Sequence, residues 1–347
     1  MAANCTIAVD AMGGDRGAGV VFQAITDVLE TDPALRIIVF QKETVSGPSI
    51  SPVVSDSSFK SMIASGRLEI RHSSSVVDKS DKPTYAYKHR ADSSMADALR
   101  CVAEREAQAC VTPGNTGALL VFAKALVGTH TSIERPAFIK RLQLGSNISY
   151  VLDLGANVDC RGERLFQFAV MGSALVSALH DIERPQIALL NIGSEDIKGN
   201  EQVRLAARLI EEAKWLNYRG FVEGGALFNS DANVIVCDGF VGNAALKAGE
   251  EVARQILKQF DVMLSGHWWS FFVRRLSRPL FARIRRGIDP DHNNGASLVG
   301  LLGTVVKSHG NADRRGFAAA LRQAASEARS EVALRVCREL DSIAFNA

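Results

Sequence analysis

No stretch of the sequence reaches the roughly 18 consecutive apolar residues of a membrane-spanning helix. Its opening, Met-Ala-Ala-Asn-Cys-Thr, leads straight into a strand pattern, with neither the basic start nor the apolar core of a secretory signal. These absences predict a protein made and kept in the cytoplasm. The cysteines Cys5, Cys101, Cys110, Cys160, Cys237 and Cys337 form no Cys-x-x-Cys pair and mostly lie beside Val, Ile or Ala, the pattern of buried reduced thiols. A formal charge of only +2 leaves the chain as a whole no binder of polyanions, and no nucleic-acid partner is expected. Missing too are the Gly-x-Ser-x-Gly elbow, the Walker phosphate loop and the His-Glu-x-x-His helix, so covalent serine catalysis and zinc hydrolysis have no support. The early glycines do not spell Gly-x-Gly-x-x-Gly, and a dinucleotide site has no sequence warrant either.

What remains is a chain of 347 residues, 47% apolar and 22% charged, ordinary for a globular enzyme built as one large domain or two lobes. Short β-rich runs (Thr6 to Asp10, Arg36 to Phe40, Ala109 to Thr112, Ser149 to Asp153, Gln186 to Asn191, Asn233 to Asp238) alternate with helical patterns. The clearest of those helices are Met95 to Gln108, Arg164 to His180, Asn200 to Trp215 and Asn243 to Phe260. This alternation predicts an α/β fold, a doubly wound, largely parallel sheet with helices on both faces. The Ser- and Pro-rich stretch from Glu43 to Ser58 reads as a surface loop, and no linker separates domains.

Several strands end alike, an apolar run giving way to Asp or Thr, then Gly and Asn: Asp10-Ala-Met-Gly-Gly-Asp15, Gly114-Asn-Thr-Gly117, Asp153-Leu-Gly-Ala-Asn157 and Asp238-Gly-Phe-Val-Gly-Asn243. A glycine past a strand lets backbone N–H groups approach a ligand, and a following helix N-terminus adds free donors and partial positive charge. Gathered at one rim of the sheet, such turns would hold an anion, phosphate above all. Each alone is also what an ordinary turn or an Asp helix cap looks like. Glu195 and Lys198 in the segment from Asn191 to Glu201 are spaced to meet on one side of a turn, as a site cation or as a solvated ion pair. After the apolar run Leu298 to Val306, Lys307 and His309 place a phosphate-binding cation and a proton-transferring imidazole at a further strand end; a hydrogen-bonded structural role for His309 is the alternative. Cys237 ends a strand with no basic neighbour, which points to core packing.

From Phe260 to Gly287, Trp268, Trp269, Phe272, Leu276, Leu280 and Ile284 recur at helical intervals while Arg274, Arg275, Arg278, Arg285 and Arg286 fall mostly opposite. This basic amphipathic segment, interrupted at Pro279, suits a headgroup layer, where each arginine adds about 1 kcal/mol near an anionic leaflet. Binding of an acidic protein, which does not exclude membrane contact, and packing at a dimer interface are the alternatives.

Taken in order, the strand-end motifs together with Asp92-Ser-Ser-Met95, Asn191-Ile-Gly193, Ile197-Lys-Gly-Asn-Glu201, Gly220-Phe-Val-Glu-Gly224, Asn294-Gly-Ala-Ser297 and Lys307-Ser-His-Gly310 closely resemble the PlsX family, the phosphate acyltransferases of bacterial phospholipid synthesis. The resemblance runs from about Ile7 to Asp313. It implies a single catalytic domain over 1–347, with the basic segment inserted at about 260–288, folded like phosphotransacetylase and isopropylmalate dehydrogenase. It further implies transfer of a long-chain acyl group from acyl carrier protein to inorganic phosphate, with no metal or organic cofactor. The resemblance also implies a homodimer at the inner face of the cell membrane that hands acyl phosphate to a membrane glycerol-phosphate acyltransferase.

On this reading the residues divide into roles. Gly13, Gly14, Asn115, Thr116, Gly117, Asn157, Gly242 and Asn243 bind phosphate or substrate, with Asn243 close to the chemistry; Lys307 supplies charge and His309 orientation or proton transfer; Asp10 and Asp15 hold the loops; Lys198 adds positive potential. Trp268, Trp269, Phe272, Arg274, Arg275 and Arg278 contact membrane or carrier, and Lys88, His89 and Arg90 form a second candidate dock. A short-chain phosphotransacylase using coenzyme A and a noncatalytic membrane scaffold are the competing readings. The chain departs from the family pattern at Thr112-Pro113, where Ser-Ala is usual, at Gln143 and at Ala91.

Overall fold

A computed structural model describes residues 4–42, 57–144, 147–263 and 294–344. The strands are β1 (Cys5–Asp10), β2 (Leu35–Lys42), β3 (Leu68–Ser73), β4 (Ala109–Thr112), β5 (Ala137–Leu144), β6 (Asn147–Leu152), β7 (Gln186–Leu190), β8 (Asn217–Val222), β9 (Val234–Val236), β10 (Ala296–Val299) and β11 (Thr304–Lys307). The helices are α1 (Ala18–Thr31), α2 (Ser57–Ala64), α3 (Pro83–His89), α4 (Ser94–Ala103), α5 (Thr116–Leu126), α6 (Gly162–His180), α7 (Glu201–Glu212), α8 (Gly239–Met263), α9 (Arg314–Arg329) and α10 (Val332–Ala344). Polar side chains set several helix starts: Ser93, Asn115, Asn200 and Asp313 each accept from a backbone N–H of the first turn of α4, α5, α7 and α9.

All the strands join in one 11-stranded sheet, ordered β3-β2-β1-β4-β11-β10-β5-β6-β9-β7-β8. The outer parts are parallel, β3-β2-β1-β4-β11 on one side and β6-β9-β7-β8 on the other, and the pairs β11/β10, β10/β5 and β5/β6 between them are antiparallel. The expected α/β class with a largely parallel sheet is thus present. The antiparallel centre makes the two parallel blocks run in opposite directions, so the carboxyl ends of β1, β4 and β11 do not share a rim with those of β6 and β9. That corrects the single-rim expectation: the strand-end loops of the two halves can meet only across a face of the sheet.

One face carries a core that spans both halves, with Ala8, Ile38 and Cys110 from one block and Val151, Ala188 and Ile235 from the other, covered by α4, α5 and α8. On the opposite face the cover is divided: α1, α2 and α9 pack over the first block, α6, α7 and α10 over the second. The six cysteines are free, and all but Cys337 are buried, as their apolar neighbours predict. Among the described residues no helix is long and apolar enough to cross a membrane.

Two elements differ from the sequence reading. The apolar run Leu298 to Val306 is an antiparallel pair, β10 and β11, folded back at Gly300, whose φ of 92° suits only glycine without strain. Strand β5, with Lys140 and Arg141 in mid-strand, is not apparent from the sequence, because charged residues mask its apolar character. Of the expected loop from Glu43 to Ser58, residues 43–56 lie outside the described residues, and Ser57 and Ser58 open α2.

Candidate active site

Three loops lock together beyond β1, β4 and β11. Thr112 Oγ1 donates to Asp10 Oδ2 (2.7 Å) and accepts from the Gly114 N–H (3.0 Å), while Met12 N–H donates to Asp10 Oδ1 (2.9 Å). Burial raises the Asp10 carboxyl to about 6 despite these hydrogen bonds and the nearby Lys307 charge. Asp10 therefore acts behind the site, fixing the turn at Gly114. Gly13 has φ +79°, and a Cβ there would stand 2.9 Å from Gly114 Cα, so two glycine backbones meet where no side chain fits. Gly14 packs on Pro113 and Gly310, and Asp15 N–H donates to Gly310 O (2.6 Å) while its carboxylate pairs with Lys79. Gly13, Gly14 and Asp15 thus tie the loop after β1 to the loops after β4 and β11.

Lys307, at the end of β11, is level with Thr112 on β4 and Ala296 on β10. Its ammonium donates to Pro113 O (3.2 Å) and Ser308 O, two backbone carbonyls. Burial lowers it to about 8, against the pull of Asp10, and Lys79 lowers it further. A cation held by carbonyl dipoles in half-buried surroundings retains capacity for an anion.

The ammonium opens onto a crevice of 280 Å³ between α5 and α8, on the face with the shared core. Lys140, Asn243, Lys247, Asn294, Lys307 and His309 supply its polar lining and Phe138, Leu154 and Leu246 its apolar lining, with Thr116 at the α5 N-terminus. The helix start leaves the N–H groups of Thr116 and Gly117 without intrahelical acceptors. On the other wall the Asn243 amide lies beside Gly155, 3.4 Å from where a Cβ would be. Asn294 is buried; its amide donates to Ser308 Oγ (2.8 Å) and its carbonyl accepts from the His309 N–H (3.0 Å), which fixes the loop carrying the imidazole.

Behind His309 sits a charged cluster that sequence patterns do not reveal. Glu250 Oε1 is 2.6 Å from Lys140 Nζ and 3.2 Å from His309 Nε2. Burial would raise the Glu250 carboxyl, but the His309 hydrogen bond and the Lys140 and His309 charges outweigh it and bring it to about 2. Asn243 and Glu250 are separated by two helical turns and so share a face of α8, the only local signal that could have found Glu250. Lys140 is 110 residues away in sequence.

Other candidate residues are placed differently from their expected roles. The Asn115 side chain caps α5 through Ala118 N–H (3.1 Å) and donates to the carbonyls of Lys79 and Asp81 (both 3.0 Å), so the backbone beside it, not its amide, is left for an anion. Gly117 lies against Pro83, 2.7 Å from a virtual Cβ, and serves helix packing. Asn157 is buried in the turn of Asp153, donating from its N–H (2.6 Å) and amide (3.0 Å) to the Asp153 carboxylate. Gly242 has no room for a Cβ, with Asp153 O at 2.1 Å, and presses α8 onto that turn. Lys198 is exposed and pairs with Glu195 (2.8 Å) outside the crevice lining, which is the solvated ion pair. Trp268, Trp269, Phe272, Arg274, Arg275 and Arg278 lie outside the described residues, and Lys88 and His89 are exposed at the end of α3.

Comparison with known proteins places the chain in a family. The profile of a family described as fatty acid synthesis protein matches residues 5–335. A phosphate acyltransferase of Marinobacter nauticus is 43% identical over 340 residues, 97% of this chain and 96% of that protein. Among solved structures, the EutD phosphotransacetylase from Staphylococcus aureus superposes with a TM-score of 0.59 at 16% identity over 94% of each chain. A branched-chain phosphotransacylase from Enterococcus faecalis gives a TM-score of 0.55 at 16% identity, over 93% of this chain and 99% of that one. These two likenesses establish the fold alone, the phosphotransacetylase architecture expected from the sequence. The near full-length match to the curated relative establishes more: the chain belongs to the fatty acid synthesis protein family and is a phosphate acyltransferase.

Proposed function

We propose that the acyl donor is a long-chain thioester of acyl carrier protein and the product an acyl phosphate that feeds membrane phospholipid synthesis. The observation that carries this reading is the crevice itself, where Lys307, His309 and the α5 N-terminus face Phe138, Leu154 and Leu246. An oxyanion binds among the cation and the free N–H groups. The apolar wall receives the first carbons of an acyl chain, and 280 Å³ leaves most of a long chain outside.

The reaction balances without a covalent intermediate or cofactor. An oxygen of HPO₄²⁻ attacks the thioester carbon, the C–O bond forms and the C–S bond breaks. His309 takes the proton of the phosphate and delivers it to the departing sulfur, leaving acyl phosphate dianion and a neutral thiol. Lys307 holds the dianion in line, and the Asn243 amide stands where charge develops on the carbonyl oxygen. Loss of the imidazole in His309→Ala is expected to cut kcat about 100-fold or more.

The acidic carrier docks on Lys88, His89 and Arg90 or on the arginines after Phe272, while the segment over 260–288 rests on the membrane and the protein acts as a homodimer at its inner face. Purified protein is incubated with palmitoyl carrier protein and inorganic phosphate, and acyl phosphate is measured. Phosphate-dependent formation of acyl phosphate is expected. Turnover confined to short acyl-coenzyme A, or no turnover with any thioester, overturns the reading.

A further inference from the structure

Lys140 and Glu250 are only 3% and 7% exposed; Lys140 lines the polar crevice, and Glu250 stands behind it and His309. One carboxylate oxygen bridges two basic groups, the Lys140 ammonium at 2.6 Å and the His309 ring at 3.2 Å. Those two are themselves only 3.5 Å apart. The second carboxylate oxygen faces the Arg254 guanidinium at 3.6 Å. Among the described residues, the charged groups facing Glu250 are therefore Lys140 from β5, His309 from the loop after β11, and Arg254 from its own helix.

Without the carboxylate, like-charge repulsion in a partly buried site would oppose protonating the ring beside a buried ammonium. With it, the ring can carry a proton next to Lys140. Since Glu250 only accepts, its bond to Nε2 places the hydrogen on that nitrogen. Nδ1, which has no partner among the described residues, is then the atom that accepts and returns a proton.

We propose that Glu250 is the positioning residue of the proton-transferring histidine: it fixes the His309 tautomer with Nδ1 free, and its charge offsets Lys140 so that the ring can be protonated during turnover. The inference rests on the acyl-transfer reading above, but its decisive test does not.

Glu250→Gln keeps the shape and removes the charge, and Glu250→Asp keeps the charge on a shorter arm. The His309 imidazole is titrated by NMR in wild type and both variants, its resonances assigned by their loss in His309→Ala. The pH dependence of kcat is measured alongside with palmitoyl carrier protein and phosphate. Glu250→Gln is expected to move the His309 titration down by about 1 pH unit or more. Its kcat at neutral pH should fall about 10-fold or more, with a displaced pH profile, while KM for the acyl carrier is unchanged. Glu250→Asp should recover part of both effects, and it alone decides the matter if the glutamine variant does not fold. An unmoved His309 titration, or a loss of kcat equal at every pH, overturns the proposal and leaves Glu250 a mere anchor of α8 on β5. A wild type that makes no acyl phosphate sinks the functional reading instead, and the titration still decides the role of Glu250.

Discussion

Replacing Lys307 by methionine should make the protein more stable and inactive at once. Burial draws the ammonium from its ordinary 10.5 to about 8, a cost to the folded state of about 3 kcal/mol wherever the group is charged in both states. Methionine fills the same space and removes that cost, but forgoes the hydrogen bonds to Pro113 O and Ser308 O, which return roughly 1 kcal/mol each. A net gain of about 1 kcal/mol is expected at pH 7. The sign reverses with alkalinity: between about pH 8 and 10.5 the unfolded lysine keeps its proton while the folded one has lost it. Wild-type stability therefore rises across that window relative to the variant, and the variant's advantage disappears. Phosphate should restore the balance for wild type alone, by about 2.7 kcal/mol at one hundred times its dissociation constant. Urea unfolding of both proteins at pH 7 and 10, with and without phosphate, reads all of this. A variant less stable than wild type at pH 7, yet equally stabilised by phosphate, would refute the assignment of Lys307 as a strained, anion-ready cation.

Further outcomes follow from other parts of the molecule. Gly13→Ala places a methyl 2.9 Å from Gly114 Cα at φ +79°, so urea unfolding should show about 2 kcal/mol lost and phosphate KM should rise, whereas an unchanged KM would detach the loop from the anion. Burial raises buried Glu327 to about 7, above its ordinary 4.5, so the native state loses stability as pH climbs through that interval; Glu327→Gln should abolish the loss, and urea midpoints at pH 5 and 8 check it. Reversing Lys88 and Arg90 to glutamate should raise KM for the acyl carrier several-fold and leave that for phosphate unchanged; equal effects would remove this surface from docking.

How much of this was written locally in the chain can be traced residue by residue. Asp10, Lys307 and His309 stand at strand ends with glycines beside them, and short-range patterns suffice to find them. Asn115, Asn157 and Gly242 belong to equally conspicuous motifs, yet capping, buried hydrogen bonding and close backbone packing occupy them, since a turn that can hold a ligand and one that starts a helix use the same residues. Lys140 and Glu250 were hidden for another reason: their juxtaposition depends on the antiparallel centre of the sheet, which brings β5 beside β10 through contacts between residues far apart in sequence. Charge within a strand reads as evidence against burial until its partner is known.

The central claim is that the crevice between α5 and α8 holds the phosphate that attacks the thioester, and a crystal soaked in inorganic phosphate tests it most directly. Density for the anion within hydrogen-bond reach of Lys307 Nζ and the Thr116 N–H is the predicted result. Phosphate bound elsewhere at a concentration that saturates turnover, with this crevice empty, would contradict it.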